Sequence, residues 1–462
     1  AISGPEHAHE LGADFYANPR LSPDGRRLAW LSWEHPNLPW DETSLWVAAL
    51  DGSGAVAEPA YRVAGEPGES VLQPRWSPRG VLHFVAERSG WWNLYRFVEG
   101  ESGGRVEPVA PMAAELAHPQ WLFRFSSWAF TGDGHVLAVA RSGGRDSLLL
   151  IDTGTGSVDQ LGLPFSEVEW VEVSGETAVF VGGSPRRPRA VIRLHVQGDW
   201  EALTTPGGAP LDETLVSVGR SVEFPTSGDR TAHGIFYPPH LPGFAGMAGE
   251  LPPLVVTSHG GPTAAASTVR SLAIQLFTTR GIAVLDVDYG GSTGYGRAYR
   301  KRLEGAWGIV DVDDCEAGAR WLAEQGLVDR DRLAIRGGSA SGYTTLAALA
   351  FRETFRAGIC HFGIGDLETF VSETHKFESR YIDTLIGPYP EQAERYRERS
   401  PLRHLDGFNA PALITQGIED KVVPVEQGRQ IVETLRAKGL PVASIFFEGE
   451  DHGYRQASNE RM

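Results

Sequence analysis

Hydrophobic and polar positions change their rhythm once along the chain. Up to about residue 210, short alternating or β-branched and aromatic runs are separated by Gly, Pro, Asp and Ser turns, which predicts an all-β unit. One motif recurs. Pro19-Arg20-Leu21-Ser22-Pro23-Asp24-Gly25 precedes Arg27-Leu28-Ala29-Trp30-Leu31, and Pro74-Arg75-Trp76-Ser77-Pro78-Arg79-Gly80 precedes Val81-Leu82-His83-Phe84-Val85. A weaker copy, Trp128-Ala129-Phe130-Thr131-Gly132-Asp133-Gly134, precedes Val136 to Ala140, and a fainter one runs from Val171 through Gly175 to Val181. The spacing of roughly 45 to 55 residues suits a four-stranded propeller blade, a small sheet that buries its faces by stacking on its neighbours. Gly in each turn supplies the positive φ a hairpin needs. Ser44 to Ala48 and Trp92 to Arg96 are expected as later strands of their blades. The competing arrangement is a β-sandwich whose turns repeat by coincidence. About four blades are legible, so an incomplete propeller, truncated at its N-terminal end, is expected.

Beyond about residue 212, buried apolar runs alternate with stretches of helical spacing, which predicts a mostly parallel, doubly wound sheet with helices on both faces. Strands are predicted at Leu254 to Thr257, Ile282 to Val287, Leu333 to Arg336, Ala357 to Cys360, Ala412 to Thr415 and Ala443 to Phe447. Helical spacing runs from Val312 to Gln325 and from Glu426 to Lys438, the latter ending at Gly439 in the C-cap place. Two domains are therefore expected, 1–210 and 211–462, in a chain of 462 residues that is too long for one ordinary core.

The second half carries the candidate chemistry. Leu333-Ala334-Ile335-Arg336-Gly337-Gly338-Ser339-Ala340-Ser341-Gly342 runs from an apolar strand into a predicted helix, Thr344 to Phe351, and reads as a nucleophile elbow. A Ser on that sharp turn projects its Oγ clear of the backbone, and small residues on either side let strand and helix pass closely. Ser341 occupies the place of the last Gly in G-x-S-x-G and is a rival nucleophile one helical step further in. A dinucleotide-binding loop would need G-x-G-x-x-G after the first strand, and neither condition is met. In hydrolases of this kind the acid and base follow the Ser in chain order. Asp420, with Glu419 as its rival, lies in the loop after Ala412-Leu413-Ile414-Thr415, and His452 lies in the loop after Ser444 to Phe447. His361, His375 and His404 have no matching acid loop. Together Ser339, Asp420 and His452 supply a nucleophile, a base and a carboxylate to orient that base. The oxyanion of an acyl-transfer intermediate needs backbone donors. The N–H of Ala340 and that of Gly261, in His259-Gly260-Gly261-Pro262, are the candidates, a plain structural turn being the alternative for the latter.

Composition narrows the partners. Apolar residues make up 41% and charged residues 22%, as in ordinary globular domains, and the formal charge of −17 disfavours nucleic acid and anionic membranes. No apolar run is long enough for a membrane span and the opening residues lack the plan of a signal peptide, so a cytoplasmic protein is expected. The opening, Ala1-Ile2-Ser3-Gly4-Pro5, has no Met and reads like the interior of a β-rich domain. Cys315 and Cys360 provide neither a disulfide framework nor metal-ligand spacing and are expected as buried apolar residues. No cofactor and no metal is expected.

The second half resembles the prolyl oligopeptidase family of serine peptidases, in particular its acylaminoacyl-peptidase and dipeptidyl-aminopeptidase-like branch. The resemblance is carried by His259-Gly260-Gly261-Pro262, by Asp288-Tyr289-Gly290-Gly291-Ser292-Thr293-Gly294-Tyr295-Gly296, by Gly337-Gly338-Ser339-Ala340, by Gln416-Gly417 with Asp420 and Val423-Pro424, and by His452-Gly453. It implies an N-terminal propeller capping an α/β-hydrolase domain, and hydrolysis of short peptides near their N-terminal end. Ser341 and Asp451 depart from the family's habit of small residues at those places. The family's propeller has more blades, and its last helix runs further beyond the His, so the hydrolase domain is expected to lack that helix here. The loop from Tyr289 to Gly296 is a substrate-lining segment or a structural one. Rival functions are a carboxylesterase, which uses the same acyl-transfer machinery, and a non-catalytic interaction protein built on the repeats.

Overall fold

In the computed structural model, which describes residues 12–100, 103–196, 198–204, 211–373, 375–456 and 458–459, the repeated motif of the first half is a turn that closes the same way each time. The carbonyls of Ser22, Ser77 and Thr131 accept from the amides of Gly25, Gly80 and Gly134, at 2.9, 2.9 and 3.0 Å. Those glycines, and Gly175 in the faintest copy, all have positive φ, between 61° and 91°. Pro at the second place and Gly at the fourth suit such a turn, which joins the first two strands of each sheet.

Four four-stranded sheets result, each an antiparallel meander in chain order. They are β1 to β4 (Phe15–Leu21, Arg27–Trp33, Ser44–Ala49, Tyr61–Ala64), β5 to β8 (Val71–Trp76, Leu82–Ala86, Asn93–Val98, Arg105–Pro108), β9 to β12 (Trp128–Phe130, Val136–Ser142, Arg145–Ile151, Val158–Leu161) and β13 to β16 (Glu167–Ser174, Thr177–Gly183, Ala190–His195, Trp200–Ala202). Four separate small sheets are propeller blades; a sandwich would have two larger ones. Leu31, Val47, Leu82 and Phe84 share one apolar core, which joins the first two blades, and Leu137, Val139, Phe180 and Ile192 share another, which joins the last two. Gln73 links the second blade to the third, donating to Ser127 Oγ (2.8 Å) and accepting from its amide (2.9 Å). The first strands of the first, second and fourth blades also share a bulge, beside which Asn18, Gln73 and Trp170 take positive φ. This second repeat is invisible in the sequence, because three unrelated side chains occupy it.

The chain divides into two units, Ala1–Gly208 with Gly294–Ala298, and Ala209–Thr293 with Tyr299–Met462. The boundary expected at residue 210 and the opening residues Ala1 to Pro5 lie outside the described residues. Within the first unit the buried Glu115 carboxylate accepts from the amides of Gly294 (2.6 Å) and Gly296 (3.2 Å).

The second unit is an eight-stranded sheet of order β17-β18-β20-β19-β21-β22-β23-β24. Its strands are Arg220–Thr226, Arg230–Tyr237, Leu254–Ser258, Ala283–Asp288, Leu333–Gly338, Ala357–His361, Ala412–Gly417 and Val442–Phe447. From β20 onward neighbours run parallel; β17 and β18 form an antiparallel hairpin at its edge. That hairpin escapes a search for continuous apolar runs because β17 (Arg-Ser-Val-Glu-Phe-Pro-Thr) buries only Phe224. Helix Val310–Glu324 packs on β17 to β20, helix Ala340–Phe351 on β21 and β22, and helix Val425–Ala437 on β23 and β24. The order reverses around β19, which lies between β20 and β21 and pairs with the latter through Leu254 to Thr257. Loops leaving β19, β21, β23 and β24 therefore emerge at one edge of the sheet, where open α/β sheets hold their ligands.

Candidate active site

Ser339 ends the turn between β21 and the helix Ala340–Phe351, with φ 57° and ψ −123°. A non-glycine residue there is strained, and the surroundings hold it in place. Its amide donates to His361 O and its carbonyl accepts from Tyr343 N, both at 3.0 Å. The predicted helix begins four residues earlier than its apolar spacing suggests, because the elbow itself opens it. Close approach is required at Gly337 and Gly342. A Cβ at Gly337 would lie 2.2 Å from Ser341 O, and one at Gly342 would lie 2.7 Å from Gly363 Cα. Ser341 is accommodated because its Oγ turns to Ser258 Oγ, 2.7 Å away, where it is buried. Gly337→Ala is expected to destabilise this unit by about 3 kcal/mol or more, since the clash is with backbone that cannot rotate away. An unchanged unfolding midpoint in denaturant would show that the turn relaxes instead.

The loops after β23 and β24 bring Asp420 and His452 to Ser339. His452 Nε2 lies 2.9 Å from Ser339 Oγ, and His452 Nδ1 lies 2.8 Å from Asp420 Oδ2. The buried carboxylate accepts at one oxygen from the amides of Val422 and Val423, both at 2.9 Å, and at the other from Gln416 Nε2 at 3.0 Å. So held, it accepts the hydrogen bond of Nδ1–H and leaves Nε2 to accept from the serine hydroxyl. The neighbouring Glu419 instead contributes its amide, to Glu450 O at 3.0 Å. Asp451 does not turn its carboxylate to the ring. It accepts from the His452 amide (2.9 Å) and the Lys421 amide (3.3 Å), which hold its pKa down and tie the two loops together.

On the other side of Ser339, the loop after β19 carries Gly260 and Gly261. A Cβ on Gly260 would lie 3.7 Å from Ser339 Cβ, so this loop rests on the serine. Gly261 has φ 118°, open to glycine alone. His259 Nδ1 lies 2.9 Å from Gly260 O and its Nε2 lies 2.6 Å from Ser292 Oγ, while Tyr289 stacks on the imidazole and donates to Pro262 O at 3.0 Å. Ala340 opens its helix directly after the serine, with its amide at the positive end of that helix.

Several neighbours of the three residues, Phe362, Thr415, Tyr454 and Tyr381 among them, carry no mark in the sequence, and His361, without a matching acid loop, is set beside them. The Phe362 ring lies 4.7 Å from that of His452. His361 accepts from Arg336 Nε (3.0 Å), bonds Thr415 Oγ1 (2.6 Å), and through it connects to Tyr454 (2.5 Å). Burial, with Arg336 beside it, lowers its pKa to about 4, so it is neutral and structural. Tyr381 OH meets Thr263 Oγ1 at 2.6 Å. These contacts join segments far apart in sequence, and no local pattern marks them. His375 pairs with Glu378 and His404 with Arg397 O. Both cysteines are buried, and burial pushes Cys360 to about 12. Among the described residues no helix is long and apolar enough to cross a membrane.

Comparison with known proteins gives matches in both halves. The sequence model of the prolyl oligopeptidase family matches residues 268–462. Dipeptidyl aminopeptidase BIII of Pseudoxanthomonas mexicana is 34% identical over 222 residues, which is 47% of this chain and 32% of that enzyme. A crystallised puromycin hydrolase is 41% identical, with a TM-score of 0.91 over 96% of this chain and 67% of its own. A puromycin-hydrolyzing peptidase of Mycobacterium tuberculosis is likewise 41% identical, with a TM-score of 0.93 over 97% of this chain and 68% of its own. The chain thus spans about a third of the length of the dipeptidyl aminopeptidase, and about two thirds of each of the two solved structures.

Proposed function

Because the chain belongs to the prolyl oligopeptidase family, we propose that it is a serine peptidase cleaving short peptides near their N-terminus through an acyl-enzyme on Ser339. The observation that carries this reading is the unbroken hydrogen-bonded path from Asp420 through His452 to Ser339. In the proposed cycle Ser339 Oγ attacks the scissile carbonyl carbon and its proton passes to His452 Nε2. The amides of Ala340 and Gly261 stabilise the oxyanion. Asp420 keeps the imidazole in the productive tautomer and stabilises its cation. Collapse of the intermediate breaks the C–N bond, and His452 gives its proton to the departing amine. Water, deprotonated by the same imidazole, then releases the acyl group as a carboxylic acid and restores Ser339. The side chains of Ser339 and His452 stay partly open to solvent, as access for a substrate requires.

Peptide substrates are favoured over esters by the names of the relatives, one a dipeptidyl aminopeptidase and two acting on puromycin. A serine-directed fluorophosphonate is expected to label Ser339 alone, located by peptide mass spectrometry. A parallel rate survey is expected to favour aminoacyl or peptidyl anilides over simple esters of matched leaving-group reactivity. Labelling at Ser341, or turnover confined to esters, would overturn the reading.

A further inference from the structure

We propose that Tyr454 is a positioning residue for the reaction, its hydroxyl latching the chain just past His452 to strand β23 so that the imidazole keeps its aim at Ser339. The inference rests on the peptidase reading above and adds a residue to the same site. His452 lies in the irregular stretch that follows β24, the edge strand of the sheet. Its neighbours bond mostly within the loops. Asp451 reaches the Lys421 amide in the adjacent loop (3.3 Å), and the amides of Arg455 and Gln456 return to the Glu450 carboxylate, both at 2.9 Å. Tyr454 instead crosses to the sheet. Its hydroxyl lies 2.5 Å from Thr415 Oγ1, and its ring packs on those of Phe447 and Phe362, with centroids 4.6 and 5.4 Å away.

The bond to Tyr454 is set from behind. Arg336, on β21, donates through Nε to His361 Nε2 at 3.0 Å. A guanidinium can only donate, so His361 carries its proton on Nδ1 and gives it to Thr415 Oγ1 at 2.6 Å. Thr415, thus oriented, keeps its own hydroxyl proton where it meets Tyr454. The same residue holds the other neighbour of the imidazole. Its carbonyl accepts from the Phe362 amide at 2.8 Å, beside a backbone φ of 38° that is strained for a residue with a side chain, and the Phe362 ring lies 4.7 Å from that of His452. Both supports of His452, one along the chain and one against the ring, therefore converge on a single buried threonine. A buried polar network whose members are satisfied fixes one arrangement, and proton transfer between His452 and Ser339 depends on such a fixed geometry. A small drift of this loop would cost rate before it cost stability.

The test measures kcat and KM on phenylalanine p-nitroanilide, per site titrated with a fluorophosphonate, in the native protein, Tyr454→Phe, Thr415→Val, Thr415→Ser and the variant carrying both Tyr454→Phe and Thr415→Val. Tyr454→Phe keeps the ring and removes the hydroxyl. It is expected to lower kcat about tenfold with KM within about twofold of native, a smaller loss than the roughly 100-fold of a misplacement of about 1 Å. Thr415→Val should match that loss, and the double variant should stay within about twofold of either, since both changes break one bond. Thr415→Ser should recover most of it. The proton resonance of His452 Nδ1–H should broaden in Tyr454→Phe as the ring loses its fixed pose. A change confined to KM overturns the inference, as does a slowed Tyr454→Phe whose Nδ1 resonance is unchanged. Losses that add in the double variant overturn it as well. Absence of fluorophosphonate labelling in the native protein overturns the peptidase reading, whereas a labelled native protein with native kcat in Tyr454→Phe overturns this inference alone.

Discussion

Ser339→Ala is expected to lower turnover by about 10⁶-fold while leaving the unfolding midpoint close to native, the scale seen when a catalytic serine is removed from a serine peptidase. The loss is large because, among the described residues, Ser339 is the hydroxyl that bonds His452 Nε2. The nearest rival, Ser341, is buried and bonded to Ser258 Oγ at 2.7 Å. Ser341→Ala should therefore leave turnover within about tenfold of native, its loss being one hydrogen bond. Fold should survive in Ser339→Ala because Ala occupies less space at the elbow and keeps the two backbone bonds to His361 and Tyr343. The comparison is made by single-turnover kinetics with an activated anilide, after contaminating peptidase is excluded. Activity that survives in Ser339→Ala and disappears in Ser341→Ala would exchange the two roles.

Asp420→Asn is expected to lower turnover by about 10⁴-fold, by analogy with the corresponding change in another serine peptidase triad. The geometry gives the reason. Asp420 Oδ1 is committed to the amides of Val422 and Val423, so an Asn would keep its carbonyl oxygen there and present its NH₂ group to His452 Nδ1. The ring must then accept at Nδ1 and carry its proton on Nε2, facing the serine hydroxyl it should deprotonate. Glu419→Gln is the control, expected to cost less than tenfold, because only the backbone of Glu419 enters this network. Proton NMR of the imidazole reports the tautomer directly. A loss below tenfold in Asp420→Asn would move the orienting role to another group.

Both experiments concern residues that the amino-acid sequence alone picks out, and the reason is local. An elbow is a few consecutive residues whose small side chains and position after an apolar strand identify it. The candidates Asp420 and His452 follow from chain order and from lying just past predicted strands. The propeller is legible for a similar reason, as its repeated Pro and Gly encode a turn that closes within four residues. The fainter repeat at Gly175 keeps the glycine and loses the rest, yet forms the same hairpin.

Everything that depends on which segments lie side by side was decided by tertiary structure. Strand pairing places β19 between β20 and β21, and so sets the glycine loop against the elbow although about 75 residues separate them along the chain. Chain geometry after Gly417 turns Asp420 and not Glu419 to the imidazole, a choice two adjacent acids leave open. Ser341 is tolerated because Ser258, at the end of β19, offers its hydroxyl a partner. Residue type and order specify turns, periodicity and reactive groups, because these are properties of neighbours along the chain. Burial and electrostatic environment belong to neighbours in space, and only the folded structure supplies them.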